Sequence, residues 1–428
     1  MQSTTNPRAA LLRAPNFRWL MAGSAVSLLG DQFTLIALPW LVLRMTGDTA
    51  ALGLVLAFIG VPRALFILVG GAVVDRFSPY RVLMWTKHVN AGLLAALTLG
   101  VYLQILPLPA LYALALALGL SSAFSIPSGT SILPHALRPQ DLAAANGAMM
   151  GLRQLSFFIG PMAAGLLIAL FGDGSGAVRQ PTGIALAFAV DAASFALSAW
   201  TLSRVRLHAT PAPLASAASL WSSIADGLRH VRRDHVLAAT YVYWTAVALL
   251  VLGPLQIALP VLAQSQPQLG ASALGLMAGA HGGGTLVGMA LSGARQLRVG
   301  TLGTSMLLAD VLIGLLFLPM GQVTSTAQGV GLMLAVGVLA GFMQVAVFTW
   351  IQGRVAPSML GRAMSLFMFI FMGLVPLASA ATGWVLKHVP LTLLFSTCGL
   401  LLVALAVIAW IASPMRQIDD RRPLGQAA

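Results

Sequence analysis

The feature that most constrains this chain is a series of long apolar runs separated by short polar segments. About 20 apolar residues are needed for an α-helix to cross ~30 Å of hydrocarbon. Runs of this length lie at residues 17–43, 50–74, 82–104, 110–133, 148–171, 181–203, 237–263, 271–294, 299–319, 328–351, 362–386 and 390–412. With 58% hydrophobic and 8% charged residues, the chain has the composition of a polytopic membrane protein. The first run is too long for a signal-peptide core, so we interpret it as a retained span.

Basic residues cluster on one side of this map. The N-terminal tail, the loops after every second span and the C-terminal tail hold 20 of the 24 Lys and Arg residues, if Lys87 is counted with the turn after span 2. By the positive-inside rule that side is cytoplasmic, and an even number of spans places both termini there. The net charge of +13 is then a consequence of topology in the cell membrane, and no nucleic-acid partner is expected.

The two halves of the chain are related in sequence. Ile36-Ala-Leu-Pro-Trp-Leu in span 1 returns as Ile257-Ala-Leu-Pro-Val-Leu in span 7, and Ala51-Leu-Gly-Leu returns at Ala273 with nearly the same offset. A parallel repeat of this kind places a binding cavity between the halves. Residues 219–233, between the halves, have the pattern of a basic amphipathic helix on the membrane surface.

These patterns predict an all-α polytopic membrane protein with twelve transmembrane helices in two pseudo-symmetric six-helix bundles. The expected units are an N-terminal bundle at 1–203, a cytoplasmic linker at 204–236, a C-terminal bundle at 237–412 and a cytoplasmic tail at 413–428.

The turn after span 2 resembles the signature of the major facilitator superfamily. It matches at Gly71, Asp75, Arg76 and Arg81, and departs at Ser78, where the family usually has glycine. The resemblance implies the major facilitator fold, with span 1 lining a central cavity. It also implies that Asp75 closes the cytoplasmic side by contacting the start of span 11 near Arg362; the alternative is a plain solvated turn.

Span 5 adds a second resemblance. Gly160, Pro161 and Gly165 are similar to the superfamily's antiporter motif, which is typical of exporters. Residues 133–146 look most like the macrolide-efflux and enterobactin-exporter branch. Gly160, Pro161 and Gly165 either form an exporter's tight seal or belong to ordinary helix packing.

Asp31 is the sharpest candidate for a site residue. Ser24, Ser27, Asp31 and Thr34 follow helical spacing and form a polar stripe on span 1. A carboxylate near mid-bilayer costs about 2.5 to 3.5 kcal/mol, so it should face the bundle interior or water. We expect Asp31, with Ser27 and Thr34, to bind a proton or substrate, or Asp31 to be a structural partner of Arg63.

Other polar residues inside the spans have two interpretations each. Arg63 either forms an ion pair with Asp31 or extends toward the membrane surface. His281 either titrates near neutrality or is a structural residue. For Asp191 and Asp310 we expect structural hydrogen bonding, and Arg153 lines the inner mouth of the cavity or anchors to headgroups.

The sequence therefore predicts a secondary active transporter that exports a small amphipathic molecule, drug-like or siderophore-like, against proton entry. No nucleotide-binding loop is present, so the proton gradient is the expected energy source and no cofactor is expected. Hydrolase motifs are also missing, so an enzyme is the weakest alternative, behind nutrient uptake and a non-transporting receptor or scaffold. A lone Cys398 excludes a cysteine metal cluster, no metal site is expected, and we expect a monomer.

Overall fold

The computed structural model describes residues 11–172, 181–207, 229, 231–293 and 299–419. These residues are mostly helical and include no β-strand. The long helices are α1 (Pro15–Thr46), α2 (Thr49–Phe77), α3 (Pro79–Tyr102), α4 (Leu108–Ala136), α5 (Leu142–Gly172), α6 (Thr182–Ser203), α7 (His235–Val247 and Gly253–Ser265, joined by a π-helical turn at Ala248–Leu252), α8 (Gly270–Ser292), α9 (Leu302–Met320), α10 (Thr326–Arg354), α11 (Pro357–Phe369 and Val375–Val385, joined by a π-helical turn at Ile370–Leu374) and α12 (Leu391–Ala412).

Eleven of the described helices are long and apolar enough to cross a membrane. The exception is α3, which carries Arg81 and Lys87 in its first half. The predicted runs coincide with these helices to within a few residues at most ends. Most of the predicted surface helix at 219–233 lies outside the described residues.

Helix ends are set by local capping. The carboxylate of Asp48 accepts a hydrogen bond from the first turn of α2, and Asp234 does the same for α7. Ser325 and Gln328 form a capping box at the start of α10. Gly47 ends α1 in the left-handed conformation, with φ of 62°. These caps satisfy amide and carbonyl groups that have no partner within the helices, so the chain can pass from α1 to α2 within two residues.

At one end of the molecule, which we call the closed end, α2 from the first half packs directly on α11 from the second. A Cβ built on Gly53 would lie 2.9 Å from the Ala380 Cα, so the two backbones touch. The Thr49 hydroxyl donates to the Gly383 carbonyl at 2.7 Å. Next to it, Lys387 Nζ pairs with Asp48 at 2.8 Å, which links the halves by charge.

Helices α5 and α8 form the second contact between the halves. A Cβ on Gly165 would lie 2.6 Å from the Ala271 carbonyl oxygen, and Gly275 lies equally close to the backbone of α5. Further along α8, the backbone at Gly282 lies against the Phe157 carbonyl. Glycines therefore allow the two helices to approach at backbone distance.

The opposite end, which we call the open end, shows no such approach. No described atom lies within 4 Å of a Cβ built on Gly71, Gly151 or Gly361. The buried cores follow the same division: one large core joins Trp40 to the second half, whereas a separate core around Phe17 is confined, among the described residues, to the first half. The halves are thus in contact from the closed end to the middle of the molecule, and we call the space between them toward the open end the crevice.

Candidate functional site

Asp31 lies near the middle of α1, beside this crevice. It keeps solvent-accessible surface and is nevertheless surrounded by protein, as expected for a group deep in a water-filled crevice. Within the described chain, the cations that act electrostatically on it are Lys87 from α3 and Arg153 from α5. Arg153 is itself exposed. The structure thus places Asp31 near charged groups of α3 and α5, and its role in binding a proton or substrate stays a prediction.

A second carboxyl, Asp191 of α6, lies directly behind α1. It is 1% exposed and accepts a very short hydrogen bond from the Thr34 hydroxyl. Its Oδ1 also accepts from Ser194 at 3.2 Å. The absence of a side chain at Gly30 makes room for this group, because a Cβ there would lie 2.6 Å from the same Oδ1. The expectation of hydrogen bonding for Asp191 agrees with these contacts.

Lys87 is the residue that sequence reasoning placed wrongly. The sequence map places Lys87 within span 3 (residues 82–104) but counts its charge with the cytoplasmic turn, whereas Lys87 is 8% exposed inside helix α3, which begins at Pro79. Its Nζ donates to Ser198 Oγ at 2.5 Å and lies 5.7 Å from the centre of the Phe195 ring. Lys87 therefore belongs to the polar interior formed by α1, α3 and α6.

A signal for this interior was present in the sequence of α6. Asp191, Ser194, Ser198 and Thr201 follow helical spacing, as the stripe on α1 does. The two stripes pack against each other, and Ser27 of α1 is buried among them. Comparing the two patterns would have predicted the contact between α1 and α6.

Arg63 does not pair with Asp31 in this structure. It is half-buried in α2, and its Nε has no hydrogen-bond partner in the described part of the chain. It follows Gly60, which packs on α11, and Ile59, whose backbone packs on Gly119 of α4. By helical phase it lies between these two faces, toward the crevice.

His281 and Asp310 lie in the second half, away from this cluster. His281 is turned toward the Met333 carbonyl of α10, and its Nδ1 has no partner among the described atoms. Asp310 is 1% exposed, and its Oδ2 accepts from the Tyr243 hydroxyl at 2.5 Å. The hydrogen bonding expected for Asp310 is present, whereas His281 is not brought together with Asp31.

The predicted gating residues lie at the open end. Gly71 borders open space, and Arg76 and Arg81 are exposed. Arg362 is half-buried, with Nη1 3.6 Å from the Met359 sulfur. The side chain of Asp75 lies outside the described part of the structure, so its predicted contact with the start of α11 stays a prediction.

The backbone conformation of Ser78 explains why the superfamily prefers glycine at this position. Its φ is 84°, in the region that non-glycine residues rarely adopt. The residue ends α2 and starts α3, so the chain reverses direction within one residue. Glycine would adopt this conformation without steric cost.

The antiporter-motif residues divide between two contacts. A Cβ on Gly160 would collide with the Gln32 side chain of α1, so this residue fits α5 to its own half. Gly165 instead contacts α8 of the other half. Pro161 is buried, and its carbonyl lies against Gly275. The motif thus joins the two halves at the closed end.

The fold is that of known transporters. The crystal structure of a point mutant of the nucleoside transporter NupG covers 92% of this chain and 98% of its own, with a TM-score of 0.72 and 15% identity. An inward-facing, occupied bacterial homologue of the lysosomal transporter Spinster covers 96% of this chain and 97% of its own, with a TM-score of 0.65 and 14% identity. The chain therefore has the fold of these transporters.

The family follows from the sequence comparison. The model of the transmembrane secretion effector family matches residues 6–424, and the chain belongs to this family. The multidrug efflux pump Tap of Mycobacterium tuberculosis (strain ATCC 25618 / H37Rv) is 28% identical over 97% of this chain and 99% of its own. Macrolide efflux protein A of Streptococcus pyogenes is 23% identical over 36% of this chain and 38% of its own. The predicted resemblance to the superfamily and its efflux branch is confirmed.

Proposed function

We propose that this protein is a proton-coupled exporter of small amphipathic molecules that works by alternating access. The observation that carries the proposal is a carboxylate, Asp31, that keeps solvent-accessible surface beside the crevice, between two halves whose backbones are in contact at the closed end. The efflux activity named for the relatives supports the direction of transport. Asp31 is the group at which a proton and a substrate compete.

The proposal includes twelve spans in two six-helix bundles, at residues 1–203 and 237–412. Helix α3 is the twelfth span: it has 24 residues, and its charged Lys87 is buried against α6 and does not face lipid. A charge inside the bundle lowers the mean hydropathy of a span without preventing insertion. The repeat in the sequence, which relates span 1 to span 7, supports the pairing of the two bundles.

The open end is the cytoplasmic end in this proposal. Arg81, Arg138, Arg354 and Arg362 all lie there, as the positive-inside rule requires. Both termini are then cytoplasmic, and the structure is an inward-open state that receives substrate from the cytoplasm. The second half supplies an aromatic wall, in which the partly exposed Phe371 packs on the buried rings of Phe367 and Trp244, at 4.9 and 6.2 Å between ring centres. Such a wall suits the apolar body of an amphiphile.

Inverted membrane vesicles test this function. The probe is a dansyl amphiphile with an eleven-carbon chain and a trimethylammonium head, and the vesicles are made acidic inside. We expect uphill accumulation by the native chain. The Asp31→Asn variant should accumulate the probe at least about tenfold less, since one proton driven by 100 mV supplies about 2.3 kcal/mol.

The matched control is Asp141→Asn, which neutralises an acid in the short connection between α4 and α5. This variant should accumulate the probe as the native chain does. Gradient-driven accumulation by Asp31→Asn at the native level, with equal amounts of protein in the membrane, would contradict the role of Asp31. No accumulation by the native chain would contradict proton-coupled export of this class of molecule.

A further inference from the structure

The first half contains a buried acid that the proposed mechanism has not used. Asp191 is 1% exposed, and no described cation forms an ion pair with it. Its contacts are the hydroxyls of Thr34 and Ser194. Among the described charged groups, Asp31 from α1 acts electrostatically on Asp191, and Lys87 from α3 and Arg153 from α5 act in turn on Asp31. A carboxylate buried without a cation is strongly disfavoured, so the neutral acid fits this position.

Resting on the proposed function, we propose that the proton coupled to export is held on the buried carboxyl of Asp191 and reaches the crevice through Thr34 and Asp31. Asp31 and Thr34 are one helical turn apart on α1, and the Thr34 hydroxyl already contacts Asp191. A hydroxyl accepts one proton as it donates its own. The transfer turns Asp191 into a carboxylate and Asp31 into an acid, while Thr34 ends unchanged. Asp31 then releases the proton to water.

Lys87 is a positioning residue for this exchange. It is anchored by Ser198, seven residues along the same stripe of α6 from Asp191, and it acts on Asp31. The charge of one lysine is cancelled by one carboxylate. Lys87, Asp31 and Asp191 are therefore neutral as a group when the two acids share one proton. Arg153 also acts on Asp31, but its effect is smaller than that of Lys87, and its exposed side chain is screened by water and salt.

The balance of charge among Lys87, Asp31 and Asp191 also identifies the chemistry of the substrate. A cationic head group that arrives at Asp31 supplies the second positive charge, so both acids can then be ionised. The arriving cation thereby expels the proton from Asp191 into the cytoplasm, which is antiport. An uncharged amphiphile of the same shape provides no such charge and displaces no proton.

Proton release on binding tests the inference. Purified protein in detergent and weakly buffered solution, with a pH indicator, is mixed with the trimethylammonium dansyl probe or with the same chain ending in a hydroxyl. We expect the native protein to release protons with the cationic probe and not with the uncharged one. Asp191→Asn keeps hydrogen-bonding atoms for Thr34 and Ser194, so it should bind the cationic probe and lose the release.

Further variants separate proton transfer from structure. Thr34→Val should slow the release about tenfold, and Thr34→Ser should restore it, because only the serine keeps a hydroxyl. Lys87→Gln should shift the pH profile of release to higher pH, whereas Lys87→Arg should keep it. Asp310→Asn, which changes an equally buried acid in the second half, should release protons as the native chain does.

The outcome for Asp191→Asn decides the inference. Native-level proton release by this variant, or release by the native chain with the uncharged probe, would overturn it. Gradient-driven accumulation in vesicles that persists unchanged in Asp191→Asn would also place the proton elsewhere, while leaving the proposed export intact. If the native chain itself accumulates no probe, the proposed function fails, and the release assay still decides where the proton is bound.

Discussion

At the scale of single residues, the partners of a charged side chain in the first half depend on which helices surround it, and its depth along the span does not identify them. Lys87 is eight residues into α3, which is about 12 Å along the helix axis, so counting it at the surface was wrong. The span was predicted to start at residue 82, whereas Pro79 starts the helix, as proline commonly does. Asp31 then has a cation nearby, and Arg63 is not required as its partner.

A double-mutant cycle tests this arrangement. Asp31→Asn removes the carboxylate that acts on Lys87, and Lys87→Gln removes the cation that acts on Asp31. The double variant should melt closer to the native protein than the two single losses added together, with a coupling of about 1 kcal/mol because water reaches Asp31. Thermal denaturation in one detergent measures all four proteins. Additive losses would show that the two groups do not interact.

At the scale of helices, the sequence predicts where each helix lies but not which helices touch. Apolar runs gave the limits of the spans, because crossing hydrocarbon requires a fixed length. The pairing of Asp31 with Arg63 was not found, because similar depth in two spans does not make the side chains neighbours. The contact of α1 with α6 depends on Gly30 facing Asp191, and such a match appears only when two stripes are compared.

The contact of α5 with α8 gives a prediction at this scale. A Cβ at Gly275 would collide with the Pro161 carbonyl, so Gly275→Ala must push the two helices apart. Overpacking of this kind costs about 1–3 kcal/mol and should lower the melting temperature. Since the contact joins the halves at the closed end, the variant should also populate states with that end open. Thermal denaturation measures the first effect.

Gly151→Ala is the matched control on α5, because no described atom lies within 4 Å of its new Cβ. It should melt at the native temperature or slightly above, since alanine favours helix by about 1 kcal/mol over glycine. Equal melting temperatures for the Gly275→Ala and Gly151→Ala variants would mean that α5 and α8 are not in backbone contact.

At the scale of the whole molecule, the contacts that join the halves in the described part of the chain include glycine-lined helix contacts and the ion pair between Asp48 and Lys387. The Asp48 and Lys387 side chains retain 35% and 41% of their exposure, so the pair is worth at most about 1 kcal/mol. Partial burial raises the pKa of Asp48. Hydrogen bonds from Lys387 and from the Ala50 amide, together with the charge of Lys387, lower it by more, so the pKa lies below its ordinary value. The pair is therefore fully formed above the ordinary pKa and is lost only as pH falls through the lowered one.

With the closed end facing the outer medium, as proposed above, acidification of that medium within the physiological range should therefore not open the closed end through Asp48. Spin labels on cysteines at Met45 and His388, both exposed beside the pair, report the separation of the halves there. We expect the Asp48 contribution to be the same at pH 8 and pH 5, because Asp48 stays ionised across that range. Asp48→Asn should raise the open population up to about fivefold at both pH values. An effect of Asp48→Asn that appears at pH 8 and vanishes at pH 5 would instead make Asp48 a sensor of external protons.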